Sequence, residues 1–173
     1  ERTGDIRSYK KDLVDLYVNR DQHSFSTQVT DLDNIQNPSI HSLLSSKYHE
    51  AQMHRLNIHA EIPDPVIHNY LTDLDLAVVL GHLMDNAIDG ARKASEGFIS
   101  LAYFDEEDCQ SFIIESTIAD EQMPLSMMST RLSHPEGGIG VNAVQDILER
   151  YPNTSFSVRS QNHKMMQILE MRP

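Results

Sequence analysis

The sequence predicts an α/β fold, a two-layer sandwich in which helices cover one face of a mainly antiparallel sheet, with a helical hairpin before it. Apolar residues recur at helical spacing over residues 73–94, and this is the strongest periodic signal in the chain. Five shorter β-rich segments surround it as one single strand and two hairpins. The order helix, strand, helix, hairpin, loop, helix, hairpin is most simply packed as a sheet with helices on one face.

The chain divides at Asn37-Pro38 into a predicted helical hairpin, residues 1–36, and a main domain, residues 38–173. The first helix of the hairpin has an apolar stripe with spacings mostly of three and four residues: Ile6, Tyr9, Leu13, Leu16 and Tyr17. A second, weaker helix is predicted from about Ser24. Two short helices with narrow stripes cannot form a core alone, so we expect them to pack on another copy of the chain or on the main domain.

Three helices are predicted in the main domain. Pro38 opens the first, at an early helical position where its missing N–H costs nothing. Thr72 and Asp73 form a capping pair at the start of the second, which runs to about Ala94. The third helix covers residues 140–151. It follows an aperiodic segment of about twenty residues, 116–136, which we interpret as a lid.

The predicted strands begin with residues 57–62, where apolar and polar residues alternate. Residues 97–103 and 111–115 form the first predicted hairpin, joined by an acidic turn at residues 105–108. The closing hairpin pairs residues 155–159 with residues 165–171.

Composition excludes several functional classes. The net charge is −12 at pH 7, from 26 acidic and 14 basic residues, so simple binding to the nucleic-acid backbone, which needs a basic face, is not expected. One cysteine, Cys109, allows neither an intramolecular disulfide nor a Cys-based zinc site. His49 and His54 lie five residues apart, whereas a metalloprotease helix needs four. No stretch approaches the roughly 20 apolar residues of a membrane helix, so we expect a soluble, cytoplasmic domain.

A polar stripe on the helix of residues 73–94 is the first candidate site. At about 100° per residue, His82, Asn86, Asp89 and Lys93 share one narrow face beside the apolar one. An amide oxygen at Asn86 with a carboxylate at Asp89 suits Mg²⁺, which takes few protein ligands together with phosphate oxygens. The same stripe is also compatible with an ordinary polar helix surface.

The second candidate site is the glycine-rich start of the third helix, residues 137–144, which read GGIGVNAV. Glycines followed directly by a helix let the backbone approach phosphates, and the helix N-terminus supplies free N–H groups and a favourable dipole. The cluster lacks the Lys-Ser/Thr of a P-loop, and a flexible hinge is the alternative interpretation.

In this order and spacing, the two sites resemble the ATP-binding domain of sensor histidine kinases, within the GHKL superfamily of gyrase, chaperone, histidine kinase and mismatch-repair ATPases. Residues 83–91 (LMDNAIDGA) resemble the N box, and residues 138–144 (GIGVNAV) resemble the second glycine box. The final hairpin, with FSV at 156–158 and MQIL at 166–169, resembles the last hairpin of that domain. The resemblance covers residues 38–173 and implies the Bergerat-type α/β fold.

The resemblance implies that ATP and Mg²⁺ are the cofactors. It implies Asn86 on the metal, with His82 and Asp89 nearby. His82 stands where related kinases often have Asn. The first glycine box, whose Asp reads the adenine amino group, is absent, and Ser116 or Asp120 is expected near adenine instead. The implied phosphate-binding groups are Arg131, His134, Gly138, Gly140 and the N–H of Val141, and Lys93 is a further cofactor-binding candidate on the polar stripe.

The N-terminal segment resembles the phosphoacceptor helix of the peptide-pheromone-sensing (quorum-sensing) subgroup, which carries Arg, then His-Asp, then Asn. Asp12 keeps the Asp place, while Lys11 stands where the acceptor His belongs and Asp15 where the Asn belongs. Lys cannot replace His as the phosphoryl acceptor of this relay. His23 is the nearest other histidine, but it lies past the helix.

Three functions follow as hypotheses. The favoured one is the cytoplasmic kinase portion of a membrane peptide sensor, with ATP, a response regulator and a second copy of the chain as partners. Its membrane part would lie in segments outside this chain. The second is a pseudokinase that dimerises and binds partners, with or without nucleotide, which Lys11 and the missing first glycine box motivate. The third is a GHKL protein-serine kinase of the anti-sigma-factor type, in which Lys11 would have no role.

Overall fold

The computed structural model describes residues 31–122 and 142–173. The predicted N-terminal helices therefore lie outside the described residues, apart from their last few positions, and so does most of the predicted lid with the glycine cluster. A short 3₁₀ helix, Asp31–Asn34, precedes three α-helices: α1 (Pro38–Met53), α2 (Asp73–Lys93) and α3 (Asn142–Glu149). The five strands are β1 (Asn57–Glu61), β2 (Phe98–Glu106), β3 (Cys109–Thr117), β4 (Thr154–Gln161) and β5 (Lys164–Met171).

The two long helices begin at the residues that the sequence predicts, Pro38 and Asp73. Asn37 caps α1, because its side-chain oxygen accepts hydrogen bonds from the N–H groups of Ser39 (2.9 Å) and Ile40 (3.2 Å). Thr72 caps α2 by accepting a hydrogen bond from the N–H of Asp75 at 3.3 Å. Acidic residues in the first turn of α2 and basic residues in its last turn also interact favourably with the helix dipole and stabilise the helix.

The strands form one mixed sheet in the order β1-β2-β3-β5-β4. β1 and β2 pair in parallel, with Asn57 opposite Phe98, and α2 is the crossover between them. All other pairs are antiparallel. The predicted fold class, with helices packed against a mainly antiparallel sheet, is therefore confirmed.

The first hairpin is longer than the sequence predicts. Pairing of Glu106 with Cys109 leaves only residues 107 and 108 in the turn, so the predicted acidic turn at residues 105–108 is wrong. Asp105 and Glu106 are only partly exposed but continue β2. Acidic residues are uncommon in strands, yet they fit where the side chain still reaches solvent.

The main core lies between the helices and one face of the sheet. Alternate strand residues such as Leu101 and Ile114 face the helices and are fully buried. The opposite face carries a separate small cluster formed by Ala102, Ile113 and Met166. Leu32 and Ile35 also join the main core, and Ile35 forms a parallel bridge with Val66. The chain before α1 is therefore packed into the domain from at least Leu32.

A buried carboxylate joins the start of α2 to the end of α3, and we call this the Asp75 cluster (Asp75, Arg150 and Tyr151). Arg150 Nη2 donates to Asp75 Oδ1 at 2.7 Å, and the Tyr151 hydroxyl donates to Asp75 Oδ2 at 2.6 Å. The Tyr151 hydroxyl also accepts a hydrogen bond from the N–H of Thr72 at 3.2 Å. The Tyr151 hydroxyl, followed by the Thr72 and Arg150 side chains, holds the pKa of Asp75 below its usual range in spite of its burial.

Asp75→Asn should destabilise the fold in a pH-dependent way. A carboxyl whose pKa is lower in the folded chain stabilises the fold above its unfolded pKa of about 3.9. That stabilisation is lost as the pH falls through the lower, folded pKa. We expect the variant to lose about 2 kcal/mol of unfolding free energy at neutral pH.

Urea unfolding at neutral pH and at about pH 3 measures the difference in unfolding free energy between the wild type and Asp75→Asn. The gap between wild type and Asp75→Asn should narrow at the acidic pH. Asp64→Asn, at an exposed position, is the control and should unfold like the wild type. A gap that stays constant with pH would show that the charge of Asp75 is not responsible.

Candidate functional site

The polar stripe of α2 borders the core. His82, Asn86 and Asp89 are half-buried, whereas Lys93 at the last turn is exposed. The residues between them, including Leu83, Met84, Ala87 and Ile88, are buried against the sheet. The apolar face of α2 therefore fixes the orientation of the stripe, as expected for an amphipathic helix.

Ser116 is fully buried near the end of β3, on the face of the sheet that carries the helices. Its hydroxyl is the one buried side-chain polar atom without a hydrogen-bond partner in the part of the chain that the structure describes. A buried hydroxyl that makes no hydrogen bond costs about 1–3 kcal/mol. Such an atom needs an explanation, and a partner that binds from outside is one.

Gly90 brings α2 close to this serine. A Cβ at position 90 would lie 3.1 Å from Ile118 Cγ2, 3.4 Å from the Thr117 carbonyl oxygen and 3.8 Å from Ser116 Oγ. A larger residue would push the helix away from the end of β3. Ser116 thus lies beside the turn of α2 that follows Asn86, and the structure brings these two predicted site residues to the same region.

Asp120 is exposed in the segment that follows β3. His163, in the turn between β4 and β5, holds this segment. Its N–H donates to the Glu121 carbonyl (3.0 Å), its carbonyl accepts from the N–H of Ile118 (2.8 Å), and its Nδ1 lies 3.0 Å from the Ala119 carbonyl. Sequence reasoning missed His163. The signal was the pair Asn162-His163 between two strands, since both adopt the positive φ of a tight turn.

A pocket of about 400 Å³ lies at the C-terminal end of α2, next to the end of β3. Lys93, Thr117, His163 and Lys164 are among its lining residues. Lys164 forms an ion pair with the buried Glu115 at 2.9 Å. The pocket therefore places Lys93 beside two further nitrogen-bearing side chains from the closing hairpin.

Two side chains from other elements fix the central turns of α2. The buried Gln167 of β5 donates a hydrogen bond from Nε2 to the Leu83 carbonyl at 3.0 Å. On the other side, Lys47 of α1 contacts Asp85 at 2.6 Å and Glu50 at 2.8 Å. Burial alone would lower the pKa of Lys47, but hydrogen bonds to Asp85 and Glu50 outweigh it and raise the pKa. These contacts hold the residues that flank Asn86.

Within residues 31–122 and 142–173, no three His, Cys, Asp or Glu side chains cluster closely enough to form a metal centre. A cation bound at Asn86 would therefore need most of its ligands from a bound molecule and from water. Mg²⁺ commonly binds proteins in this way, through one or two side chains and substrate phosphates.

Several predicted site residues lie outside the described residues. They are Lys11, Asp12, Arg131, His134, Gly138, Gly140 and Val141. The described part of α3 begins at Asn142, directly after the glycine cluster. No helix among the described residues is long and apolar enough to cross a membrane.

Comparison with known proteins gives one family. Residues 71–172, more than half of the chain, match the family model described as the GHKL domain. The sequence matches no curated protein.

Solved structures of histidine kinases have a fold similar to that of this chain. The nucleotide-free catalytic domain of histidine kinase ThkA has a TM-score of 0.61 at 14% identity, over 79% of this chain and 90% of that one. Acinetobacter baumannii histidine kinase AdeS has a TM-score of 0.58 at 16% identity, over 97% and 79%. ThkA in complex with the response regulator protein TrrA has a TM-score of 0.60 at 13% identity, over 97% and 48%. At these identities the likeness is one of fold.

Gln167→Met should cost about 1 kcal/mol of unfolding free energy, because it removes the hydrogen bond to Leu83 while keeping a similar volume. Chemical denaturation measures the unfolding free energy of the variant and of the wild type. Gln161→Met is the control, because Gln161 is exposed at the end of β4. Equal stabilities of the two variants would contradict the role of Gln167 in holding α2.

Proposed function

Since the chain belongs to the GHKL domain family, we propose that it binds ATP with Mg²⁺ and serves as the ATP-binding part of a sensor histidine kinase. The observation that carries the proposal is the buried, unpartnered hydroxyl of Ser116 beside Gly90, on the side of the sheet where α2 presents Asn86. A purine base has both hydrogen-bond donors and acceptors, so it fits the unsatisfied hydroxyl. The histidine kinase catalytic domains with a similar fold support the same function.

We assign the phosphates to the other end of the site. The Asn86 amide oxygen would hold the metal, with Asp89 and His82 beside it. The N–H groups after Gly138 and Gly140, including that of Val141, would bind phosphate oxygens at the start of α3. Lys93, Arg131 and His134 are the proposed cations, and Asp120 would lie near the base with Ser116. Bound Mg²⁺ would neutralise charge on the phosphates, which an acidic chain of net charge −12 requires.

The Asp75 cluster has a supporting role in this proposal. It ties the end of α3 to the start of α2, and α3 is only eight residues long, about 12 Å. Fixing one end of so short a helix also fixes its beginning, where the phosphates are proposed to bind. Positioning of this kind accounts for most of catalysis in phosphoryl transfer.

We propose that residues 1–36 provide dimerisation and the phosphoacceptor position, with residues 38–173 as the catalytic domain. Leu32 and Ile35, which pack in the core, lie N-terminal to this boundary. The expected partners are a second copy of the chain and a response regulator. ThkA, which has a similar fold, is described in complex with one.

Lys11 favours a second candidate function, a pseudokinase that binds partners without phosphorylating itself. An ammonium group at the acceptor position cannot carry the phosphoryl group of this relay. A histidine kinase with this sequence would need its acceptor elsewhere.

Calorimetric titration with Mg-ATP tests the nucleotide site. We expect saturable binding by the wild type, and a roughly 10- to 100-fold loss of affinity in Asn86→Ala, because a ligand of a charged centre is removed. Gln52→Ala, at an exposed helical position of α1, is the matched control and should bind like the wild type. Absence of binding at millimolar ATP would contradict the proposal that the chain binds ATP.

Phosphotransfer with labelled ATP tests the acceptor position. Lys11→His should gain label that is labile to acid and stable to hydroxide, which marks phosphohistidine, while the wild type gains none at this position. Lys10→His, one residue away, is the control and should behave like the wild type. If ATP binds but Lys11→His stays unlabelled, the pseudokinase is favoured. Acid-stable label on an added protein would instead indicate a serine kinase.

A further inference from the structure

Ser116 lies in a run of three polar residues that end β3, and the other two are satisfied. The Glu115 carboxylate pairs with Lys164 at 2.9 Å. The Thr117 hydroxyl donates to the Glu96 carbonyl at 2.8 Å and accepts from the N–H of Phe98 at 3.0 Å. Among the described residues, Ser116 Oγ alone has no such partner. Among the described residues, the run therefore contains one buried hydroxyl whose hydrogen-bonding capacity the fold does not use.

The position of this hydroxyl corresponds to the base end of the proposed nucleotide. Ser116 lies against Gly90, which is four residues, or about 6 Å of helix, beyond Asn86. If Asn86 holds the metal and phosphates, the base is the part of the nucleotide that extends toward Gly90 and the end of β3. The inference below therefore rests on the proposed function.

We propose that Ser116 makes this site accept 6-oxo purine nucleotides about as well as ATP. An ionised carboxylate only accepts hydrogen bonds, so at this position it selects a purine with a 6-amino group. A serine hydroxyl donates one hydrogen bond and accepts others, and its hydrogen rotates to suit the partner. It can accept from the 6-amino group of adenine or donate to the 6-oxo group of hypoxanthine and guanine.

How strongly the site discriminates between purines depends on the free-energy cost of leaving a buried polar group without a hydrogen-bond partner. A site rejects an analogue strongly when binding leaves a buried polar group of the site without a partner. With Ser116, neither the amino nor the oxo group leaves the hydroxyl unpaired. A purine with only hydrogen at position 6 does leave it unpaired, and should bind more weakly.

Calorimetric titration of the full chain with the Mg²⁺ complexes of three nucleotides tests the inference. The probes are ATP, inosine triphosphate and purine riboside triphosphate, which carry an amino group, an oxo group and hydrogen at position 6. We expect the wild type to bind the first two within tenfold of each other. Purine riboside triphosphate should bind roughly fivefold more weakly, the equivalent of one neutral hydrogen bond.

Ser116→Ala should bind all three nucleotides with about the affinity that the wild type has for purine riboside triphosphate, because no hydroxyl remains to distinguish them. Ser111→Ala is the matched control. Ser111 is a buried serine of the same strand whose side chain lies on the opposite face of the sheet, and its variant should keep the wild-type order of affinities.

Two results would overturn the inference while leaving the proposed ATP site intact. One is a wild type that binds inosine triphosphate more than tenfold more weakly than ATP. The other is a folded Ser116→Ala that keeps the wild-type differences among the three nucleotides. Failure of the wild type to bind ATP at all would instead overturn the proposed function, and this inference with it. The wild-type comparison is decisive even if Ser116→Ala does not fold.

Discussion

The close packing of α2 on the end of β3 fixes the position of almost every described residue of the proposed site. Gly90 permits the approach, since a Cβ there would meet Ile118 at 3.1 Å. Gln167 and Lys47 hold the helix on either side of Asn86. The stripe and Ser116 belong to different elements, so their separation depends on how the helix packs on the strand. A shift of the helix by about one ångström would misplace Asn86, the proposed metal ligand, relative to the proposed position of the base, and such errors are costly in catalysis.

The sequence was sufficient to predict the fold class because its strongest signals are local. The periodicity of α2 extends over 21 residues, and the caps at Asn37 and Thr72 depend on neighbours three residues away at most. The order of helices and strands then restricted the packing to one simple arrangement. The turn at residues 107–108 was misjudged because strand ends depend on cross-strand pairing, which a run of acidic residues does not reveal.

The site was less predictable, because its contacts join distant parts of the chain. The polar stripe of α2 followed from helical geometry alone. By contrast, Gln167 reaches Leu83 across 84 residues and Arg150 reaches Asp75 across 75, and neither pair has a local signature. The proximity of Ser116 to Gly90 depends on the register of the sheet and the path of the crossover helix. The absence of a partner for its hydroxyl is visible only in the packed structure.

The presence of a hydroxyl rather than a carboxylate at the proposed base position also bears on charge. The chain has a net charge of −12, and a nucleotide adds further negative charge. An ionised carboxylate buried at this position would carry a large desolvation cost unless it were paired. Lys164 of the adjacent strand is already paired with Glu115, whose side chain lies on the face of the sheet opposite that of Ser116. A neutral hydroxyl at Ser116 adds no buried charge to the site, and under our proposal this lower electrostatic cost accompanies a weaker selection of the 6-amino group. In a protein this acidic, electrostatics therefore favours the same broad purine recognition that we propose from the hydrogen-bonding capacity of serine.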